Sequence, residues 1–247
     1  MQCFSVILKQ LMKNSPQNKL LSALPQTDLD RIKPYLVPVE LPLGKVLCES
    51  GGKLSNVFFP TTAIVSLLSV MENGASAEIA VVGNDGIVGI ALFMGGETMT
   101  NRIVVQSAGM AYQLNDKILI QEFQRSGAFQ HLLLRYTMAL LSQMAQTAVC
   151  NRHHSVDQQL CRWLLLSLDR LQTNELTMTQ ELIANMLGVR REGVTEAAGK
   201  LQTARLIDYS RGHITVLDRP GLEGRVCECY KVVRDEFDRL LPKTQEN

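Results

Sequence analysis

The stretch LTMTQELIANMLGVRREGVTEAAGKLQTARLIDYSRGHITVLD, from Leu176 to Asp218, constrains the fold more than any other part of the chain. Thr179 can cap a helix whose inward positions are Leu182, Ile183, Met186 and Leu187, and Gly188 supplies a sharp stop. Val189 fills a corner, and Arg190 to Leu201 predicts a second helix with a buried stripe of Val194, Ala197, Ala198 and Leu201. The alternating DYSRGHITV then predicts a hairpin around Arg211-Gly212. Two short helices joined at a glycine and followed by a hairpin form a helix-turn-helix with a wing, whose second helix must stand clear of the core to enter a major groove. Arg190, Arg191, Glu192, Thr195 and Glu196 occupy the exposed early turns of that helix. Thr179, Gln180, Arg211 and His213 flank it, where backbone phosphates would lie.

Upstream the character changes twice. Asn18 to Tyr35 predicts short helices, with Thr27 or Asp28 as a cap after Pro25. From Val37 to about Leu114, brief apolar runs alternate with turn signals such as Gly51-Gly52, Asn73-Gly74, Asn84-Asp85-Gly86 and Gly95-Gly96, as in a sandwich or barrel. Asn73-Gly74 is the best hairpin signal, a type I′ turn. Beyond Asp116 the turn residues thin out, and a long helix is predicted after a break at Ser126-Gly127. Phe129, Leu133, Tyr136, Leu140, Gln143 and Thr147 alternate steps of three and four along it. That row fits a coiled-coil seam between two chains, and equally a helix packed on its own domain. The expected fold class is α+β: helices and a jelly-roll β-barrel over 1–116, a dimerisation helix over 117–150, and a winged helix-turn-helix over 151–247.

Whole-chain charge gives no support for a polyanionic partner, since the formal net charge is only +1. Residues 150–247 hold fourteen Lys plus Arg against fourteen Asp plus Glu, although an exposed Arg-Arg with a wing Arg-Gly-His can form a local positive stripe that a total hides. A ligand- or protein-interaction module on the same fold is the competing reading, and the steep salt dependence of phosphate contacts separates the two. No Walker loop, metal triad or nucleophile elbow is evident, so no enzyme is expected. No apolar run is long enough for a bilayer span, which with the absence of a clear cleavage site suggests a cytoplasmic chain without a membrane partner. Six scattered cysteines form no disulfide framework. Cys227-Glu228-Cys229 lacks a second ligand pair at metal spacing, and Arg152-His153-His154 reads as a solvated or DNA-facing surface, so no metal is expected.

In TQELIANMLGVRREGVTEAAGKLQTARLIDYSRGHITVLD the sequence resembles the Crp/Fnr family of bacterial transcription regulators, and the resemblance extends over nearly the whole chain. It implies double-stranded DNA, a second copy of the chain and RNA polymerase as partners, no fixed cofactor, and base reading by Arg191 and Glu192. Glu196 stands where the family often has a basic residue. PLGKVLCESGG and GNDGIVGIALFMGG resemble the family's cyclic-nucleotide-binding roll. In nucleotide-binding members a Glu follows the glycine of a phosphate cassette to hold the ribose, and an Arg followed by Ser or Thr holds the phosphate. Here those places read Gly89-Ile90 and about Met99-Thr100-Asn101, with Arg102 nearby but out of pattern. The resemblance therefore implies a sensor fold that has lost its usual ligand. Cys3 stands alone where iron-sulfur members carry a cysteine cluster.

Overall fold

A computed structural model describes residues 18–96, 98–171 and 173–241, so Cys3 lies outside the described residues. Two short helices, α1 (Lys19–Ser22) and α2 (Gln26–Ile32), open the described chain. Asn18 caps α1 through its side-chain oxygen, while its amide donates to the Pro60 and Gly86 carbonyls, both at 2.9 Å. α2 begins at Gln26 without a side-chain cap, so neither Thr27 nor Asp28 serves as one.

Strands β1 (Val37–Leu41), β2 (Val46–Cys48), β3 (Asn56–Pro60), β4 (Ile64–Val70), β5 (Ser76–Val82), β6 (Arg102–Ser107) and β7 (Gly109–Asn115) form the expected roll. They make two antiparallel sheets, ordered β1-β7-β3 and β2-β6-β4-β5. The inner strand β4 is buried over Ile64–Leu68 and apolar there except for Ser66, as suits a strand covered on both faces. The β4–β5 hairpin forms at the expected place with a different turn. Gly74 takes a positive φ of 83° while Asn73 does not, and Asn73 instead accepts from the Ala75 amide. The loop is therefore a wider turn ending in one left-handed glycine, not the two-residue type I′.

After α3 (Asp116–Phe123), the break falls at Ser126-Gly127 and α4 runs from Ala128 to His153. Phe129, Leu133, Tyr136, Leu140, Gln143 and Thr147 are all buried. Gln143 donates to the Val81 carbonyl, and the Tyr136 ring meets Phe237 edge-on. That row is filled from within the chain, which corrects its assignment as an intermolecular seam. The next row round the helix is solvent-facing instead: Leu134, Met138, Leu141 and Val149 are 47–52% exposed.

The C-terminal part comprises α5 (Val156–Leu168), β8 (Glu175–Thr177), α6 (Gln180–Leu187), α7 (Arg191–Thr203), β9 (Ile207–Ser210), β10 (His213–Val216), α8 (Arg219–Arg225) and α9 (Glu228–Leu240). Ser155 opens α5 with a capping box to Gln158, which turns the chain sharply after α4. β8 was not expected; it pairs with β10 and makes the wing part of a three-stranded sheet. The chain breaks between α8 and α9 at Val226-Cys227.

Two polar links join the roll to this part. Arg170 pairs with Asp85 at 2.9 Å, both side chains largely buried, and donates to the Gln143 side chain and the Leu166 carbonyl. The second is a chain through Glu78, Ser66, Gln106 and Ser167. Ser66 Oγ lies 2.5 Å from Glu78 Oε2 and 2.8 Å from Gln106 Oε1, and Gln106 donates to Ser167. A hydroxyl has one proton, so both short contacts are satisfied when Glu78 is protonated and donates to Ser66. Burial drives the Glu78 carboxyl up to about 7, against the opposing influence of Ser66, Arg162 and Arg170.

The proton on Glu78 gives a pH signature. The folded protein retains it between pH 4.5 and about 7 while the unfolded chain has lost it, so stability falls across that window and levels off above it. Urea unfolding should show wild type losing on the order of 3 kcal/mol relative to Glu78→Gln as pH rises from about 4.5 to 8. Parallel pH profiles for the two proteins would refute a protonated Glu78.

Candidate nucleic-acid interface

Thr179 caps α6 as expected, accepting from the Leu182 amide at 3.3 Å, and Gly188 ends the helix with φ 66°. The buried face is Ile183, Ala184, Met186 and Leu187; Leu182 is exposed, and Ala184 takes the inward place assigned to it. In α7 the stripe Val194, Ala197, Ala198 and Leu201 is buried as the spacing required. Arg190 sits at the N-cap position of α7 without capping it, and its side chain remains exposed with that of Arg191.

The wing closes as a tight two-residue turn. His213 pairs with Ser210, and both Arg211 (φ 51°) and Gly212 (φ 84°) are left-handed, the type I′ signature. A left-handed arginine costs roughly 1–2 kcal/mol that Asn or Gly would avoid, so the wing tip sacrifices local stability to carry a charge there. His213 Nδ1 lies 3.3 Å from Thr177 Oγ1, on β8.

These elements bring Thr179, Gln180, Arg191, Arg211 and Gly212 round one surface depression, together with Tyr209. Thr195 Oγ1 donates to Gln180 Oε1 at 2.7 Å, tying the recognition helix to the start of α6. Tyr209, which the sequence reading passed over, donates its hydroxyl to the Met178 carbonyl at 2.8 Å and forms the floor between helix and wing. Its place in an alternating strand beside the turn was the available signal. Glu196 belongs to a different flank of α7. It pairs with Lys200 at 2.8 Å, which holds its carboxyl below the usual range, and lies near Ser155, Val156 and Asp157. Among the described residues, Arg190, Arg191 and Arg211 join no ion pair within 4.0 Å.

The sensor residues are arranged differently. Gly89 is left-handed and starts a single 3-10 turn whose first residue, Ile90, packs partly buried against the core. The segment holding Thr100 folds onto the turn at Glu49–Gly52 through Gly51 N to Met99 O, Met99 N to Gly52 O, and Ser50 Oγ to Thr100 O. Thr100 donates to Asn101, and the Arg102 guanidinium stands 3.0 Å from the Glu49 carboxylate, an ion pair without hydrogen-bond alignment. Arg102 is thus matched to an acidic group of its own roll.

A capped helix, a glycine corner, a recognition helix with unpaired arginines and a charged wing define a winged-helix DNA-binding protein. Residues 158–225 match the Crp-like helix-turn-helix domain. The chain is similar in structure to FixK2 from Bradyrhizobium japonicum, at 14% identity and TM-score 0.64, covering 78% of this chain and 98% of that one. It is also similar to the CRP-family transcriptional regulator TTHB099 from Thermus thermophilus, at 15% identity and TM-score 0.62, covering 76% and 95%. The c-di-GMP-responsive global regulator CLP of Xanthomonas campestris aligns at 15% identity and TM-score 0.60, covering 78% and 100%. No curated protein matches the sequence. The chain has the fold of these regulators, and with the Crp-like helix-turn-helix domain over residues 158–225 it is a DNA-binding transcription regulator. No helix among the described residues is long and apolar enough to cross a membrane.

Proposed function

We propose that this regulator binds an inverted-repeat operator as a symmetric homodimer, with half-sites about one helical turn apart. The observation that carries the reading is the convergence of Thr179, Gln180, Arg191 and Arg211 on one depression between recognition helix and wing. In this reading Arg191 and Glu192 read base edges, Arg to guanine and Glu to a cytosine amino group. Thr179, Gln180, Arg190, Arg211 and His213 hold phosphates. The chain acts in the cytoplasm by contact with DNA and RNA polymerase, and performs no catalysis.

The roles separate experimentally. Arg191→Ala should lose about 1–3 kcal/mol on the operator and relax preference at one base pair. Arg211→Asn should weaken all duplexes alike while leaving the protein slightly more stable, because Asn tolerates the left-handed turn. Anisotropy titrations on operator and random duplex over a salt series measure both; a binding constant insensitive to salt would instead favour a protein-docking module.

The dimer seam is the exposed row Leu134, Met138, Leu141 and Val149, with Ala145 completing the steps of four and three. Leu141→Glu should convert a dimer to a monomer in sedimentation at micromolar concentration and abolish tight operator binding. A wild-type monomer that binds a single half-site tightly would refute the seam.

The sensor keeps the roll but does not use cyclic AMP or cyclic GMP. Ile90 offers no acceptor for a ribose hydroxyl, which leaves a buried donor unpaired at about 1–3 kcal/mol. A cyclic phosphate would also lack the arginine that replaces its hydration, because Arg102 faces Glu49. Calorimetry should show binding no tighter than the millimolar range for either nucleotide. Micromolar binding that Arg102→Ala abolishes would make Arg102 the phosphate ligand and overturn this assignment.

A further inference from the structure

The last turn of α4 and the first turn of α9 meet at four side chains whose types and placement go beyond packing. Cys150 lies in the last turn of α4 and His154 is its extended C-cap, and both meet Cys227 and Cys229, which come from the N-cap and first turn of α9. Their donor atoms, three sulfurs and one ring nitrogen, all lie within 4.8 Å of one another. This supplies the second ligand pair that the sequence reading found missing beside Cys227-Glu228-Cys229, and it corrects the reading of His154 as a surface group.

We propose that Cys150, His154, Cys227 and Cys229 form a tetrahedral binding site for a single divalent metal ion of the zinc class. Around zinc, with Zn–S near 2.3 Å and Zn–N near 2.0–2.1 Å, neighbouring ligand atoms stand about 3.5–3.8 Å apart. Cys150 Sγ lies 3.6 Å from Cys227 Sγ, and Cys229 Sγ lies 3.4 Å from His154 Nδ1. The spacing suits one ion and is too tight for a cluster of several irons. Three thiolates and an imidazole are a borderline-soft set, which selects zinc over magnesium or calcium.

The surroundings supply the outer contacts of a metal site. His154 Nε2 stands 3.3 Å from Glu228 Oε1. When that nitrogen carries the proton, Nδ1 presents its lone pair to the sulfurs, the carboxylate–histidine arrangement found behind metal ligands. Gln146 donates an amide N–H to Cys229 Sγ at 3.1 Å, and the N-terminus of α9 favours negative charge on Cys227 and Cys229. The three cysteines form a buried cluster apart from the main core, with partly buried Val226 packed against it. Such a patch gives little hydrophobic stabilisation in return for three buried thiols. An ion here would fasten α9 to the end of the long helix, beside the His154-Ser155 turn from which the DNA-binding part departs.

The full-length protein, stripped with a chelator under reducing, oxygen-free conditions, should take up one cobalt(II) per chain. The expected spectrum has thiolate charge-transfer absorption and the intense visible bands of tetrahedral cobalt, and zinc should displace the ion. Cys227→Ser and Cys229→Ser should each lose the charge-transfer intensity and the stoichiometric site, whereas Cys48→Ser and Cys161→Ser should keep both. Glu228→Gln should keep the spectrum and weaken metal affinity about 10–100-fold. Circular dichroism of each variant separates loss of the site from loss of the fold, and the wild-type titration depends on no variant. Failure of the folded, reduced wild type to bind cobalt or zinc at one per chain would overturn the proposal, as would retention of the thiolate bands in Cys227→Ser or Cys229→Ser.

Discussion

The arrangement of the molecule hangs on one buried cation. Arg170, at the end of α5, reaches Asp85 in the turn after β5, Gln143 on α4 and the Leu166 carbonyl, and its guanidinium lies 5.4 Å from the Phe237 ring on α9. A guanidinium removed from water needs nearly all its lost hydration replaced. Only one relative placement of the roll, the long helix and the C-terminal helices brings these partners together. Gly83 leaves the room for it: a Cβ there would come within 2.5 Å of the Arg170 side chain. Buried ion pairs of this kind add little net stability over apolar packing, while removal of one partner costs about 3–5 kcal/mol. Their contribution is to geometry.

That geometry fixes where the recognition helix stands. β5 is an edge strand of its sheet, and an open edge invites pairing with other chains. Here α6 packs against it, with Gly188 so close that a Cβ would lie 3.0 Å from the Ala77 Cβ. The glycine therefore has two reasons to be there, the left-handed helix end and the contact. The first helix of the DNA-binding motif rests directly on the roll at Ala77, next to Glu78. The Glu78–Ser66–Gln106–Ser167 chain is a second link between the roll and the C-terminal part.

What could be read from sequence follows from how local the signals are. The helix-turn-helix was legible because a threonine cap, a glycine stop and an Arg-Gly turn each act within a few residues. The roll was legible as a class from its turn spacing, but β8 was not, because its pairing with β10 is long-range and its three residues carry no pattern of their own. On α4 the periodicity was real and its partner was misassigned. Leu133 and Leu134, or Leu140 and Leu141, are adjacent apolar residues on two rows about 100° apart. One row meets the chain's own roll and the other faces outward, and spacing alone does not distinguish them. The cysteine cluster was invisible for a plainer reason: Cys150 and Cys227 are 77 positions apart, and only the folding of α9 onto α4 makes them neighbours.

The near-zero charge that counted against a nucleic-acid partner is also a matter of placement. In the C-terminal part, many acidic groups are matched within it: Glu196 by Lys200, Glu223 and Asp169 by Arg219, Asp235 by Lys231, Glu236 by Arg239. These pairs lie on other faces and cancel locally. Arg190, Arg191 and Arg211 have no such partner among the described residues, and Arg191 and Arg211 line the helix-wing junction, where an incoming phosphate meets their charge before it meets the molecule's total. Glu192 stands beside them with no ion pair among the described residues, and a phosphate would repel it. In the proposed reading it faces hydrogen-bond donors instead, and on a duplex those are base edges such as the cytosine amino group, not the backbone. An acidic residue in a row of arginines is thus the feature that most favours sequence reading over simple adhesion to a polyanion.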